Sequence, residues 1–392
     1  MLLSLVAAIA LADGTGSGIA APPNPAPPAK SQVDPKHQKD LDRDVEMGKQ
    51  YAAEIAKDPK FKVSTNQKEI DRINRIGQEM GKIANQTHAK VTWGDSRLSP
   101  FEYHFTLLQD KDVNAFSLPG GYIYVDEGLI NFVESDDELA GVLAHEIAHS
   151  AFRHVATLQR EASKMSVLQI PLILATILAS SKNIVPIIAG SQVLQQAIGS
   201  GWSVKAEQAA DYGGFQYMVK SQYNPVGMLT MMERLARVEK TSPAGLYELG
   251  ILQSHPPGPE RARSLTKYLQ NAGIVVKRSE VTTSYRTTAK AVANGFEVDF
   301  GKKALVTFRG PDASSRAADA VRTLNDFFDQ VPQLYEIRAN PDGTVMGLGK
   351  VLVKITPDDV PDKQTPQQAA ERTAKAMKDC LYMLAYRVWD AR

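Results

Sequence analysis

At 392 residues, 43% hydrophobic and 23% charged, the chain has the make-up of a globular protein with room for two or three domains of about 150 residues. Its 45 Lys and Arg against 44 Asp and Glu leave no net field to draw in nucleic acid, which is excluded as a partner. The single cysteine, Cys380, rules out an intrachain disulfide and any cysteine-based zinc or iron–sulfur site, so a metal would have to be held by carboxylates and the seven histidines.

Residues 1–12 hold an apolar run of signal-sequence length with small residues at Ala10 and Ala12, although no basic charge precedes it. The expectation is export to a periplasm or the exterior, with membrane association as the alternative. Residues 13–38, rich in Pro, Ala and Gly, read as a linker. A first domain is expected over 39–272. Helical spacing marks 41–57 and 67–85, where Ile70, Ile73, Ile76 and Met80 form one stripe. Alternation at Phe101, Tyr103, Phe105 and Leu107 predicts a strand, and Tyr122 to Val125 a second one after Pro119-Gly120-Gly121. A long helix is expected from Ser135, which makes a capping box with Glu138, while Asp136 and Asp137 suit the positive end of the helix dipole.

That helix carries His145-Glu146-Ile147-Ala148-His149. Histidines at i and i+4 lie one turn apart on one face and can reach one zinc ion, while Glu146, rotated by about 100°, is placed to act as general base. The apolar neighbours Ala144, Ile147 and Ala148 would leave these polar groups half buried and unpaired without a metal. Phe152 and Val155 stand where a third histidine motif would need Gly and His, so that class is rejected. Between Glu161 and Glu207 there is no Asp or Glu at all. Glu161, expected on the same helix as His149, is several turns away; Glu207 is therefore the expected third ligand. Asp211, at i+4 from it, is placed to accept a hydrogen bond from a ligand imidazole. One zinc per chain, held by His145, His149 and Glu207, follows.

In these residues the chain resembles the HtpX-like and CAAX-prenyl-protease-like zinc metallopeptidases, a gluzincin group, and within it the soluble BepA-like and Oma-type branch. Four blocks carry the resemblance over about residues 40–270: Asn114-Ala115-Phe116 with Pro119-Gly120-Gly121 and Gly128-Leu129; His145 to His149 with Arg153-His154; Ser203 through Glu207 to Asp211 and Gly214; and Tyr223-Asn224-Pro225 with His255-Pro256 and Arg261. Val204 and Ala209 depart from the pattern. The resemblance implies that His255 lies near the zinc, counted with Glu146 as catalytic, either stabilising the oxyanion or covering the open coordination position. It places Asn114, Gly120, Gly121 and Arg261 with the substrate. Residues 114–125 read as an edge strand whose glycines admit a peptide backbone. The expected fold is α+β: a mainly helical gluzincin-type domain with a small antiparallel sheet, plus a small C-terminal α+β domain.

His37, His88 and His104 are expected at the surface, and His154, about 140° around the helix from His149, as a hydrogen-bonding residue off the ligand face. Residues 165–200 hold two apolar arms of about fifteen residues, too short to span a bilayer. They read as a lid over the site or, alternatively, as a hairpin in contact with a membrane. Residues 275–392 are expected as the separate α+β unit, with short strands at Ala304 to Phe308 and Lys350 to Ile355, a helix near Ala317 to Phe328, and a closing helix from Thr365 to Trp389. This unit is a candidate for binding a protein partner. Gly347-Leu348-Gly349-Lys350 matches no phosphate-binding loop. The function expected is a zinc endopeptidase acting on extended or misfolded protein; the alternative is a zinc-bound scaffold or chaperone-like factor with a capped, weakly active site.

Overall fold

The computed structural model describes residues 33–164, 202–241, 251, 255, 259–361, 364–381 and 384. The run at 1–12, the arms at 165–200 and the end of the closing helix lie outside them. Among the described residues no helix is long and apolar enough to cross a membrane.

Helix α1 (Pro35–Lys57) begins inside the expected linker, because Asp34 caps it by accepting from the Lys36 and His37 amides and Pro35 takes the first helical position. His37 is buried, not at the surface, with Nε2 3.1 Å from the Leu98 carbonyl. His88 and His104 are exposed as expected. Helix α2 (Gln67–Ala84) buries Ile73, Ile76 and Met80 completely. Three strands, β1 (His104–Leu108), β2 (Ala115–Leu118) and β3 (Tyr122–Asp126), form a sheet in the order β1-β3-β2, with β3 parallel to β1 and antiparallel to β2. Residues 114–125 are thus two strands; β3 is central, and only Ala115–Leu118 stands at the edge.

After the short α3 (Glu127–Phe132) comes α4 (Asp136–Ala151), which carries the His-Glu motif. Ser135 caps it through the Glu138 amide, but the other half of the capping box is absent. The Glu138 carboxylate instead accepts from the Glu134 amide and pairs with Arg234 at 2.5 Å. The helix stops at Phe152 because Arg153 adopts φ 53, so Glu161 belongs to a different helix, α5 (His154–Lys164), rather than to α4. A non-glycine residue in that region is costly, and Arg153 is held there by ion pairs with Asp44 (2.5 Å) and Asp95 (3.1 Å). Helix α6 (Trp202–Val219) then packs backbone to backbone on α4: a Cβ on Gly214 would lie 3.1 Å from the His145 amide nitrogen. Helices α7 (Val226–Thr241) and α8 (Pro259–Asn271) complete a core that runs from Ile73 and Ile123 through Leu143 and Ile147 to Met218 and Leu229.

A second hydrophobic cluster begins at Tyr285. After α9 (Arg278–Val281), the strands β4 (Thr287–Val292), β5 (Gly295–Phe300) and β6 (Lys303–Phe308) form an antiparallel meander. Helix α10 (Ala313–Asp329) covers it with Ala317, Leu324 and Phe328. A second meander, β7 (Arg338–Ala339), β8 (Thr344–Gly347) and β9 (Lys350–Lys354), and helix α11 (Pro366–Leu381) close the cluster. Leu348 and Gly349, both at positive φ (50 and 73), make the two-residue turn between β8 and β9, which is what the Gly347–Lys350 sequence is for. Glu134, next to the cap of α4, accepts hydrogen bonds from Thr282, from the Ser284 amide (2.7 Å) and from the Ser284 hydroxyl (2.6 Å), joining the two clusters.

Candidate active site

Helix α4 presents His145 and His149 on one face, and α6 crosses it with Glu207 and Asp211 turned toward them. The His145 and His149 Nε2 atoms lie 3.0 Å apart, and the Glu207 carboxylate is 3.3 Å from each. His255 adds its Nδ1 at 3.3 Å from His145 and 3.0 Å from Glu207. These four residues form the one group of potential metal donors found among the described residues.

The spacing tests whether zinc fits. Bonds of about 2.0–2.1 Å to a tetrahedral ion put its corners about 3.3 Å apart. The four donors lie within 4.8 Å of one another, and their close pairs, at 3.0–3.3 Å, approach that spacing, with Glu207 meeting His145 through Oε2 and His149 through Oε1. Three imidazoles and a carboxylate also match the donors zinc takes, so the residues fit the ion. Glu146 is 1% exposed, neither of its carboxylate oxygens accepts a hydrogen bond, and His255 Nε2 stands 3.5 Å from one of them. A buried carboxylate left so bare is expensive, and it points to a reacting group rather than a structural one.

Around the donors the charges are paired. His145 Nδ1 donates to Asp211 at 3.1 Å. Arg261 binds Asp211 through Nε and Nη2, both at 2.7 Å, and reaches Glu207 through Nη1 at 2.9 Å. Burial works against the charge on Asp211, but Arg261 outweighs it and holds the carboxyl at about 2; Glu207 is pulled down in the same way by His255 and Arg261. Burial likewise opposes the charge on His145, and Asp211 and Glu207 overcome it, lifting the imidazole to about 10, whereas burial wins at His149 and lowers it. On His149 the far nitrogen meets His154 Nδ1 at 2.9 Å. Behind the donors, Val142, Met228, Met231, Met232 and Leu235 wall a space of about 470 Å³, counted out to open solvent.

Of the residues expected from sequence, His145, Glu146, His149, Glu207, Asp211 and His255 come together here. Arg261 comes with them, but its guanidinium faces Glu207 and Asp211. Asn114, Gly120 and Gly121 do not join them at the metal donors. Asn114 is buried, and Gly120 and Gly121 sit at φ 76 and 95 where a Cβ would strike Val45 of α1 and the Glu102 carbonyl. Their lack of a side chain serves a close approach of the chain to itself. Sequence reasoning missed the contact of His154 with His149; the signal was the Arg153-His154 pair already present in the second matching block.

The donors, with His145 and His149 on α4, Glu207 on α6 and a bare carboxylate beside them, have the pattern of the His-Glu-x-x-His plus glutamate class and could hold a metal ion. The model of peptidase family M48 matches residues 73–269, and the chain belongs to that family. It is 27% identical over 205 residues to the mitochondrial metalloendopeptidase OMA1 of Saccharomyces cerevisiae, covering 52% of this chain and 57% of that one. It is 29% identical over 201 residues to the beta-barrel assembly-enhancing protease of Escherichia coli (48% and 39%), and 32% over 171 residues to the protein of that name in Yersinia pestis (42% and 32%). The chain thus spans between about a third and little more than half of the length of these relatives.

Proposed function

We propose that the chain is a zinc endopeptidase that hydrolyses extended or misfolded protein. The observation that carries this reading is the gathering of His145, His149, Glu207 and His255, their donor atoms within 4.8 Å of one another, beside the bare carboxylate of Glu146. His145, His149 and Glu207 would hold the ion, which would polarise the scissile carbonyl and acidify the attacking water. Glu146 takes the proton from that water and passes it to the leaving amine. Asp211 fixes the proton of His145 on Nδ1, leaving Nε2 free to ligate, and Arg261 keeps both carboxylates ionised. His255 occupies the corner where the attacking water would stand, so the resting site is closed and weakly active. The edge strand β2 supports main-chain recognition of substrate. The run at 1–12 supports export, and residues 275–392 are the place for a protein partner.

The test compares wild type with Glu146→Gln. The variant should keep one zinc per chain and lose casein cleavage by on the order of 10² or more. Unchanged cleavage at full zinc content would remove Glu146 from the chemistry. A scaffold or chaperone-like role would be left if wild type binds zinc and neither it nor its His255→Ala variant cleaves.

A further inference from the structure

We propose that His154 is a positioning residue for the metal centre: a neutral histidine that accepts the Nδ1 proton of His149 and so fixes that ligand's tautomer and ring angle. This rests on the metal-binding reading above. A metal-ligating imidazole carries its proton on the nitrogen away from the ion and needs an acceptor there. For His145 that acceptor is Asp211. His149 turns Nε2 toward the other donors, and its Nδ1 lies 2.9 Å from Nδ1 of His154. Two protonated nitrogens cannot share that distance, so His154 Nδ1 is the bare one and its proton sits on Nε2.

The surroundings are built to hold the ring there. The break of α4 at Arg153 swings His154 back under His149, whereas a continued helix would carry it off the ligand face. Arg153 is tied to Asp44 and Asp95, and the Asp95 amide binds the Phe152 carbonyl at 2.8 Å. Trp93 packs on the His154 ring, with centroids 5.2 Å apart. Gly94, at φ 106, leaves the far edge clear, since a Cβ there would stand 2.9 Å from Cδ2 and 3.0 Å from Nε2. A neutral acceptor also suits the charge of the site. The three carboxylates of Glu146, Glu207 and Asp211 are matched by Arg261 and one divalent cation, and a carboxylate in place of His154 would add a buried negative charge with no partner.

The experiment measures zinc affinity by chelator competition for wild type, His154→Phe and His154→Asn. Phenylalanine keeps the ring but accepts nothing; asparagine places an acceptor oxygen near the position of Nδ1. His154→Phe should weaken zinc binding 10- to 100-fold, and His154→Asn should stay within about threefold of wild type, as a retained hydrogen bond requires. In the zinc-loaded protein, the downfield proton resonance of His149 Nδ1–H should persist in wild type and His154→Asn and vanish in His154→Phe. Equal affinities in all three, or equal weakening in both variants, would overturn the assignment, the second by reducing His154 to a packing role. If His154→Phe does not fold, His154→Ala against His154→Asn makes the same comparison. Should wild type bind no zinc at all, the metal-binding reading itself fails.

Discussion

Removing Arg261 should expose how much repulsion the metal-free site contains. Its guanidinium is buried and makes three contacts of 2.7–2.9 Å to Asp211 and Glu207. Holding Asp211 at about 2 instead of 3.8 corresponds to native-state stability on the order of 2 kcal/mol at neutral pH. Glu207 contributes in the same direction. With Arg261→Met both carboxylates stay buried and are left to share the His145 imidazolium alone, which costs about 3–5 kcal/mol. The sign follows from the depressed pKa values: the stabilisation is present above about 4 and is lost as pH falls toward 2. The zinc-stripped variant should therefore unfold in urea with about 3–5 kcal/mol less stability than wild type at pH 7. The gap should narrow at pH 3, and zinc should restore part of it by supplying the missing positive charge. Trp93, packed beside His154, reports on this part of the chain. A loss below about 1 kcal/mol at pH 7 would refute the argument, since that is the size of a surface ion pair.

His255→Ala should raise casein cleavage at equal zinc content by tenfold or more, because it frees the fourth corner; a fall would assign His255 to oxyanion stabilisation instead. Asp126 is pushed up to about 8 by burial and then by Asp110 and Asp112, so its charge destabilises the fold progressively as pH rises from about 4 to 8. Asp126→Asn should therefore match wild type in thermal melting at pH 4 and exceed it at pH 8.5; equal melting at both would place the carboxylate in water. Gly94→Ala should reduce zinc affinity although it touches no ligand, because its methyl displaces the His154 ring, and unchanged chelator competition would contradict that. Glu134→Ala removes the acceptor of Thr282 and Ser284, so the unit from Tyr285 onward should melt separately in calorimetry, where wild type shows greater overlap.

The residues that gather at the candidate site were legible wherever local geometry alone carried the message. Spacing of i and i+4 is a property of the helix, so His145, His149 and the Glu207–Asp211 pair could be read without knowing what they faced. The acid-free stretch between Glu161 and Glu207 made the choice of third ligand narrow. Arg153 shows where this kind of reading stops. Nothing local asks an arginine to take φ 53; that conformation is set by Asp44 and Asp95, 109 and 58 residues upstream. With the helix continued through Arg153, both Glu161 and His154 land in the wrong place. Gly120 and Gly121 were read as room for a peptide because a sequence cannot say which backbone a glycine lets in. His37, too, looks polar along the chain and is buried only once α1 meets the Leu98 carbonyl.

The bare contact between α4 and α6 bears on how this fold can decay. At Gly214 the two ligand-bearing helices meet main chain to main chain, and a side chain there would have to displace Met228, the His145 amide or the carbonyl carbon of Ala144. The separation of Glu207 from the two histidines is therefore written in a position that ligates nothing. A duplicated copy of the chain could keep His145, His149, Glu207 and Asp211 intact and still lose the centre through one enlarged residue at 214. Silent copies of such a protein are to be recognised by volume at that crossing as much as by a missing histidine.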